Sequence, residues 1–162
     1  DDQQKIDGFL QDFLGQVKVF DSGGRGATTT FIERGIGDVL LTFESEVLNL
    51  ADRYDNGEYE VVTPKVSFLA EFPVTWIDDY VEQNGTEDLA KAYLEHLYSE
   101  DAQRLLAGFN YRVHNDVVKK ETSDRFPNVK LLPISEIAGS WENATEEHFS
   151  SGGKLDQLQR RK

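Results

Sequence analysis

Between residues 21 and 30 the chain reads Asp21-Ser22-Gly23-Gly24-Arg25-Gly26-Ala27-Thr28-Thr29-Thr30. Three glycines in four positions give backbone freedom that neither a strand nor a helix requires. The run stands between an apolar strand candidate, Val17 to Phe20, and a helix candidate, Ala27 to Arg34. A turn in that place can aim successive backbone N–H groups at one point, and the helix N-terminus adds partial positive charge. The chemistry on offer is anion binding without a salt bridge, by the N–H groups of Gly23, Gly24, Gly26 and Ala27. Thr28, Thr29 and Thr30 can add hydroxyl donors, and Arg25 can touch the anion or brace the loop. No Lys-Ser or Lys-Thr follows the glycines, so the run is not a Walker A loop. It also lacks the Gly-x-Gly-x-x-Gly dinucleotide spacing. On pattern alone, a glycine-rich connection with no ligand remains open.

Other candidates are weaker. His96, His114 and His148 fall in separate predicted elements without ligand spacing, which favours structural or surface roles and gives no metal site. Asp78-Asp79 and the pair Glu44 and Glu46 have the form of carboxylate dyads. Such pairs arise by chance in a chain with 30 acidic residues. Trp76 and Trp141 read as packing residues. Asn84-Gly85-Thr86 and Asn143-Ala144-Thr145 match glycosylation acceptors, but the first is better explained as a turn before a helix capped by Thr86. For catalysis at the glycine loop the sequence offers Ser22, Thr28 or Thr29 with no adjacent base, so no catalytic residue is assigned.

Composition narrows the classes further. The chain has 162 residues, 38% hydrophobic and 11% aromatic, enough for a core in one or two units. Mean hydropathy is −0.53, and no apolar run approaches the roughly 20 residues that span a bilayer, so a soluble protein without membrane insertion is expected. A net charge of −13 disfavours nucleic acid as a partner. The surplus is uneven, net −11 over residues 1–85 and −2 over residues 86–162, so an anion site in the first half must rely on backbone donors. With no cysteine, disulfides, thiolate zinc sites and cysteine nucleophiles are excluded. There is no methionine and no leader-like start. Asp1 therefore reads as a processed or excised terminus and the chain as a fragment.

The elements that must position the loop follow from periodicity. Ile6, Phe9, Leu10, Phe13, Leu14 and Val17 recur at helical spacing. Asp38 to Phe43 has the character of a buried strand, and Glu44 to Tyr54 that of a helix. Gly35 and Gly37 stop the helix before them. Tyr59 to Thr63 and Phe68 to Ile77 are further strand candidates. From Thr86 onward the chain turns helical: Leu89, Ala92, Tyr93, His96 and Leu97 share a face, and a second helix begins at the cap candidate Ser99 and ends near Gly108. An amphipathic segment near Val117 to Phe126, an apolar run Val129 to Ile134 and a helix near Trp141 to Phe149, closed by Gly152-Gly153, complete the reading. The pattern predicts an α/β protein with a parallel sheet.

The stretch from Val19 to Phe31, continued by Glu33-Arg34-Gly35-Ile36-Gly37-Asp38-Val39-Leu40 and Phe43-Glu44-Ser45-Glu46, closely resembles the sulfate- and thiosulfate-binding proteins. Further matches are Leu69 to Val74, Ala92-Tyr93-Leu94, Leu97-Tyr98-Ser99, Tyr111-Arg112-Val113 and His148 to Gly153. The resemblance covers nearly the whole chain. It implies the C-terminal part of a type II periplasmic-binding-protein fold, in which two α/β lobes close over a dehydrated divalent oxyanion, with the N-terminal segment missing. Residues 1–58 would form the back part of the second lobe, with the anion-binding loop. Residues 59–162 would hold a crossing strand, the return to the first lobe and the C-terminal helices. The implied function is capture of sulfate or thiosulfate in the periplasm for the membrane subunits of an ABC importer, with no cofactor and no catalysis. The alternative class is a small phosphate- or sulfate-ester hydrolase using the glycine loop. Gly24 matches the family's donor in this loop and Arg25 the arginine beside the site. At the position of Phe43, sulfate-type members carry a Trp whose indole N–H donates to the anion. Phe has no such donor, which tilts the ligand toward thiosulfate or dual specificity. The remaining donors belong to the missing segment, so these residues alone are expected to self-associate or to recruit it.

Overall fold

A computed structural model describes residues 2–54 and 57–160; the proposed processed terminus at Asp1 lies outside them. The chain divides into two compact units, residues 1–42 with 131–162, and residues 43–130. Among the described residues it is helix-rich, with one small parallel sheet.

In the first unit the predicted opening helix forms as α1 (Asp2–Gln16), and none of its residues is buried. Its apolar stripe packs in part against the C-terminal helix, leaving Phe9 68% exposed. The glycine run leads into α2 (Gly24–Ile32), three residues earlier than the sequence suggested. First-turn N–H groups need no upstream carbonyl, so Gly24, Arg25 and Gly26 can enter the helix as its first turn. Gly35 (φ 62°) and Gly37 (φ 96°) then turn the chain out through left-handed backbone, as their spacing implied.

The second unit holds α3 (Glu44–Arg53), β1 (Val66–Phe68), α4 (Asp78–Asn84), α5 (Glu87–His96), α6 (Glu100–Gly108), α7 (Asp116–Glu121) and the start of β2 (Lys130–Leu132). The ladder opens where the Lys130 N–H donates to the Lys65 carbonyl at 3.0 Å. Back in the first unit follow α8 (Ile134–Ile137), α9 (Trp141–Ala144), a π-helical turn over Thr145–Phe149 and α10 (Lys154–Arg160), reached through Gly152 at φ 79°. α10 lies against α1, tied by Lys154 to Asp7 at 2.7 Å.

Three expected strands, Val17 to Phe20, Asp38 to Phe43 and Tyr59 to Thr63, are not strands here, and of Phe68 to Ile77 only Phe68 belongs to one. Apolar and β-branched runs favour extended backbone, but a strand exists only where a neighbour completes its ladder. These segments find no such neighbour among the described residues. The α5 face also needs correction. Leu89 and Tyr93 are exposed, and the partly covered side is Ala90, Leu94 and Leu97.

Helix ends in the second unit are well specified. Ser99 caps α6 as predicted, its hydroxyl accepting from the Ala102 N–H at 3.2 Å. Thr86 holds the N-cap position of α5, but its hydroxyl makes no capping bond. Gly85 (φ 62°) closes α4 in a Schellman motif, with Gly85 N–H to Glu82 and Thr86 N–H to Val81 carbonyls. α6 ends at Gly108, yet the left-handed residue is Asn110 (φ 67°), whose N–H reaches the Ala107 carbonyl while the Tyr111 N–H reaches that of Leu106. Ala107, Val113 and the fully buried Val118 form the core below, flanked by Leu106 and Phe126. Gln103, 4% exposed, is a polar staple within this core. Its amide N–H₂ donates to the Leu97 carbonyl, and its oxygen accepts from the His114 and Asn115 N–H groups.

Candidate functional site

At the glycine loop, Gly23 is the N-cap of α2 at φ 129°, ψ 164°, a conformation that strains any side-chain-bearing residue. Gly24, Arg25 and Gly26 form the first helical turn, so their N–H groups have no upstream carbonyl in the helix. The Ala27 N–H already donates to the Gly23 carbonyl at 3.0 Å. The anion-binding potential of the run therefore rests on Gly24 to Gly26, at the positive end of the helix dipole. Asp21 lies over this turn, 3.5 Å from where a Cβ on Gly26 would stand, and its carboxylate accepts from the Thr30 hydroxyl at 3.1 Å. Thr30 is buried and spends its hydroxyl on this latch. Thr28 is buried as well.

Phe43 belongs to the second unit, where it is the N-cap of α3. Its carbonyl accepts from the Glu46 and Val47 N–H groups, and its half-exposed ring meets Phe72 edge to face at 5.9 Å. Glu44, the next residue, is gripped by Arg112 through both carboxylate oxygens at 2.5 and 2.8 Å, which removes it from any dyad with Glu46. Arg112 also donates to the Pro127 carbonyl at 2.8 Å and stands 5.6 Å from the Phe126 ring centre.

The other candidates are engaged locally. The Trp76 indole N–H donates to Asp78 at 2.8 Å. His96 meets the Ser99 hydroxyl, His114 lies by Tyr98, and His148 by Phe149. The described residues contain no group of three or more side chains able to hold a metal ion, and no helix among them is long and apolar enough to cross a membrane.

One polar cluster escaped sequence reasoning. Asn110, 2% exposed, donates to Asn49 at 3.0 Å and to Asp52 at 3.1 Å. Arg125 donates to the Asn110 side-chain oxygen and to Asp52. The available signal was an Asn two residues past a helix-ending glycine, a natural left-handed cap. The Asn110 hydrogen bond and the Arg125 charge hold the Asp52 carboxyl below its usual range. Arg104 does the same to Glu121 across the α6 to α7 contact. A depressed carboxyl stabilises the fold above its unfolded pKa and loses that contribution as pH falls through the folded value. Thermal unfolding of this unit should be insensitive to pH near neutrality and decline below about pH 4, and Asp52→Asn should blunt the decline. Identical acid profiles for the variant and the parent would show that Asp52 is not part of it.

No family model matches the chain. The thiosulfate-binding protein of Escherichia coli (strain K12) is 51% identical over 157 residues, 97% of this chain and 46% of that protein. The sulfate-binding protein of the same organism is 44% identical over 160 residues, 99% of this chain and 49% of that protein. A thiosulfate-binding protein of Pseudomonas aeruginosa is 40% identical over 157 residues, 97% of this chain and 47% of that protein. The chain spans about half the length of the curated relatives it matches. Over nearly its whole length, then, the chain is a homologue of the sulfate- and thiosulfate-binding proteins.

Proposed function

We propose that the chain is the C-terminal part of a periplasmic sulfate- or thiosulfate-binding receptor that serves an ABC importer, and that it is not an enzyme. Identity of 40 to 51% over nearly all its residues to proteins of those names carries this reading. No observation favours ester hydrolysis: Thr28 is buried, and Asp21, the carboxylate next to Ser22 in the sequence, is engaged by the Thr30 hydroxyl.

The complete receptor would have a type II fold, with residues 1–58 in the back part of its second lobe and residues 59–162 holding the crossing strand and the return. Two contributions to anion binding are proposed separately, one from each unit. In the first, Gly24 donates its N–H, with Gly23, Gly26 and Ala27 shaping the turn and Arg25 bracing it. In the second, Phe43 stands where sulfate-type members carry a donor.

Calorimetry of the full-length protein with sulfate and with thiosulfate tests the reading; absence of saturable binding to either removes it. In the same protein Phe43→Trp should move preference toward sulfate. A single added hydrogen bond contributes about 0.5–1.5 kcal/mol, a shift of roughly two- to tenfold in the ratio of the two affinities. A shift toward thiosulfate would refute the role of this position.

A further inference from the structure

We propose that Arg112 is a positioning residue that neutralises Glu44 beside Phe43, so that a doubly charged oxyanion can approach this part of the molecule. The inference rests on the anion-receptor reading. Glu44 directly follows Phe43 and opens α3. An unpaired carboxylate there would repel any dianion brought to Phe43, and in a partly dehydrated site that repulsion is poorly screened.

The structure disposes of this charge with a partner 68 residues away in sequence. Both carboxylate oxygens are taken by the guanidinium, at 2.5 Å from Nε and 2.8 Å from Nη2. Side-chain exposures of 28% for Arg112 and 30% for Glu44 set the pair apart from the more exposed Arg104 bridges, so its charges are less screened by solvent. Arg112 is held on its other sides by the Pro127 carbonyl and the Phe126 ring. Only a planar fork can meet a carboxylate in two places, a carbonyl and a ring together, and an ammonium lacks that geometry. The clamp also fixes the first turn of α3, and with it the backbone of Phe43, whose ring Phe72 restrains from the side.

Charge neutralisation and simple bracing make different predictions for paired variants of the full-length protein, measured by sulfate and thiosulfate calorimetry together with thermal unfolding. Arg112→Ala should weaken binding at least about tenfold, because it frees the Glu44 charge. Arg112→Ala with Glu44→Gln should recover to within about threefold of the parent, although the brace is still missing. Glu44→Gln alone, which keeps the guanidinium, should bind about two- to tenfold more tightly, since one negative charge is gone and a positive one is left uncompensated. It serves as the decisive variant if Arg112→Ala does not fold. A double variant as weak as Arg112→Ala, or a weaker-binding Glu44→Gln, would overturn the proposal. A parent that binds neither anion would instead overturn the receptor reading on which it rests.

Discussion

Gly24→Pro in the full-length protein should weaken sulfate or thiosulfate binding by roughly 1.5–3 kcal/mol or more, about one to two orders of magnitude, with little loss of folding stability. Gly24 is the first residue of α2. Proline is well tolerated there, because its missing N–H would have had no partner in the helix and its fixed φ suits the first turn. Gly23 at ψ 164° already has the extended ψ that a residue before proline must adopt. The substitution therefore deletes one donor and leaves the helix intact, which few backbone changes can do. In a dehydrated site, loss of a charge-assisted bond to a dianion has no solvent replacement. A folded variant with unchanged calorimetric affinity would remove Gly24 from the site and leave Arg25 and Gly26 as the donors to test.

How far such positions could be read from sequence depended on whether the signal was local. Ser99 as a cap, Gly85 as a turn and Gly35 as a stop are decided by a few neighbouring residues, and all three stand as expected. The glycine loop was legible for the same reason, but not its boundary with the helix, because Gly24 to Gly26 are equally acceptable as loop and as first turn. The strand candidates failed because pairing is a property of two segments. Asp38 to Phe43 has the character of a buried strand and finds no ladder among the described residues. The clamp of Arg112 on Glu44 and the cluster around Asn110 were invisible because they join residues of α3 to partners 58 to 73 residues away, and no periodicity links a charged residue to a distant partner.

A polypeptide consisting of these 162 residues alone should self-associate or fold poorly, and should bind either anion far more weakly than the full-length protein. Each unit has little covered apolar surface of its own: among the described residues the buried hydrophobics are three alanines, three valines and Leu158, while Phe9, Phe20, Val39, Leu41, Val62 and Phe72 stand exposed. The Thr42 hydroxyl is buried with no hydrogen-bond partner among the described residues, a cost that native folds seldom carry. Segments of strand-like composition that find no ladder among the described residues add open edges, which pair readily with other chains. Covering an exposed aromatic side chain contributes about 1.5–3 kcal/mol, so several such residues together outweigh the marginal stability of a small domain and drive association. Light scattering should show species larger than the 18.4 kDa monomer, or circular dichroism a poorly cooperative unfolding. Adding the remaining half of the protein in trans should reduce association and restore binding. A well-folded monomer that binds sulfate or thiosulfate at micromolar affinity, about 8 kcal/mol, would mean that these residues hold a whole site, and the proposed division of donors between this chain and the rest of the receptor would be wrong.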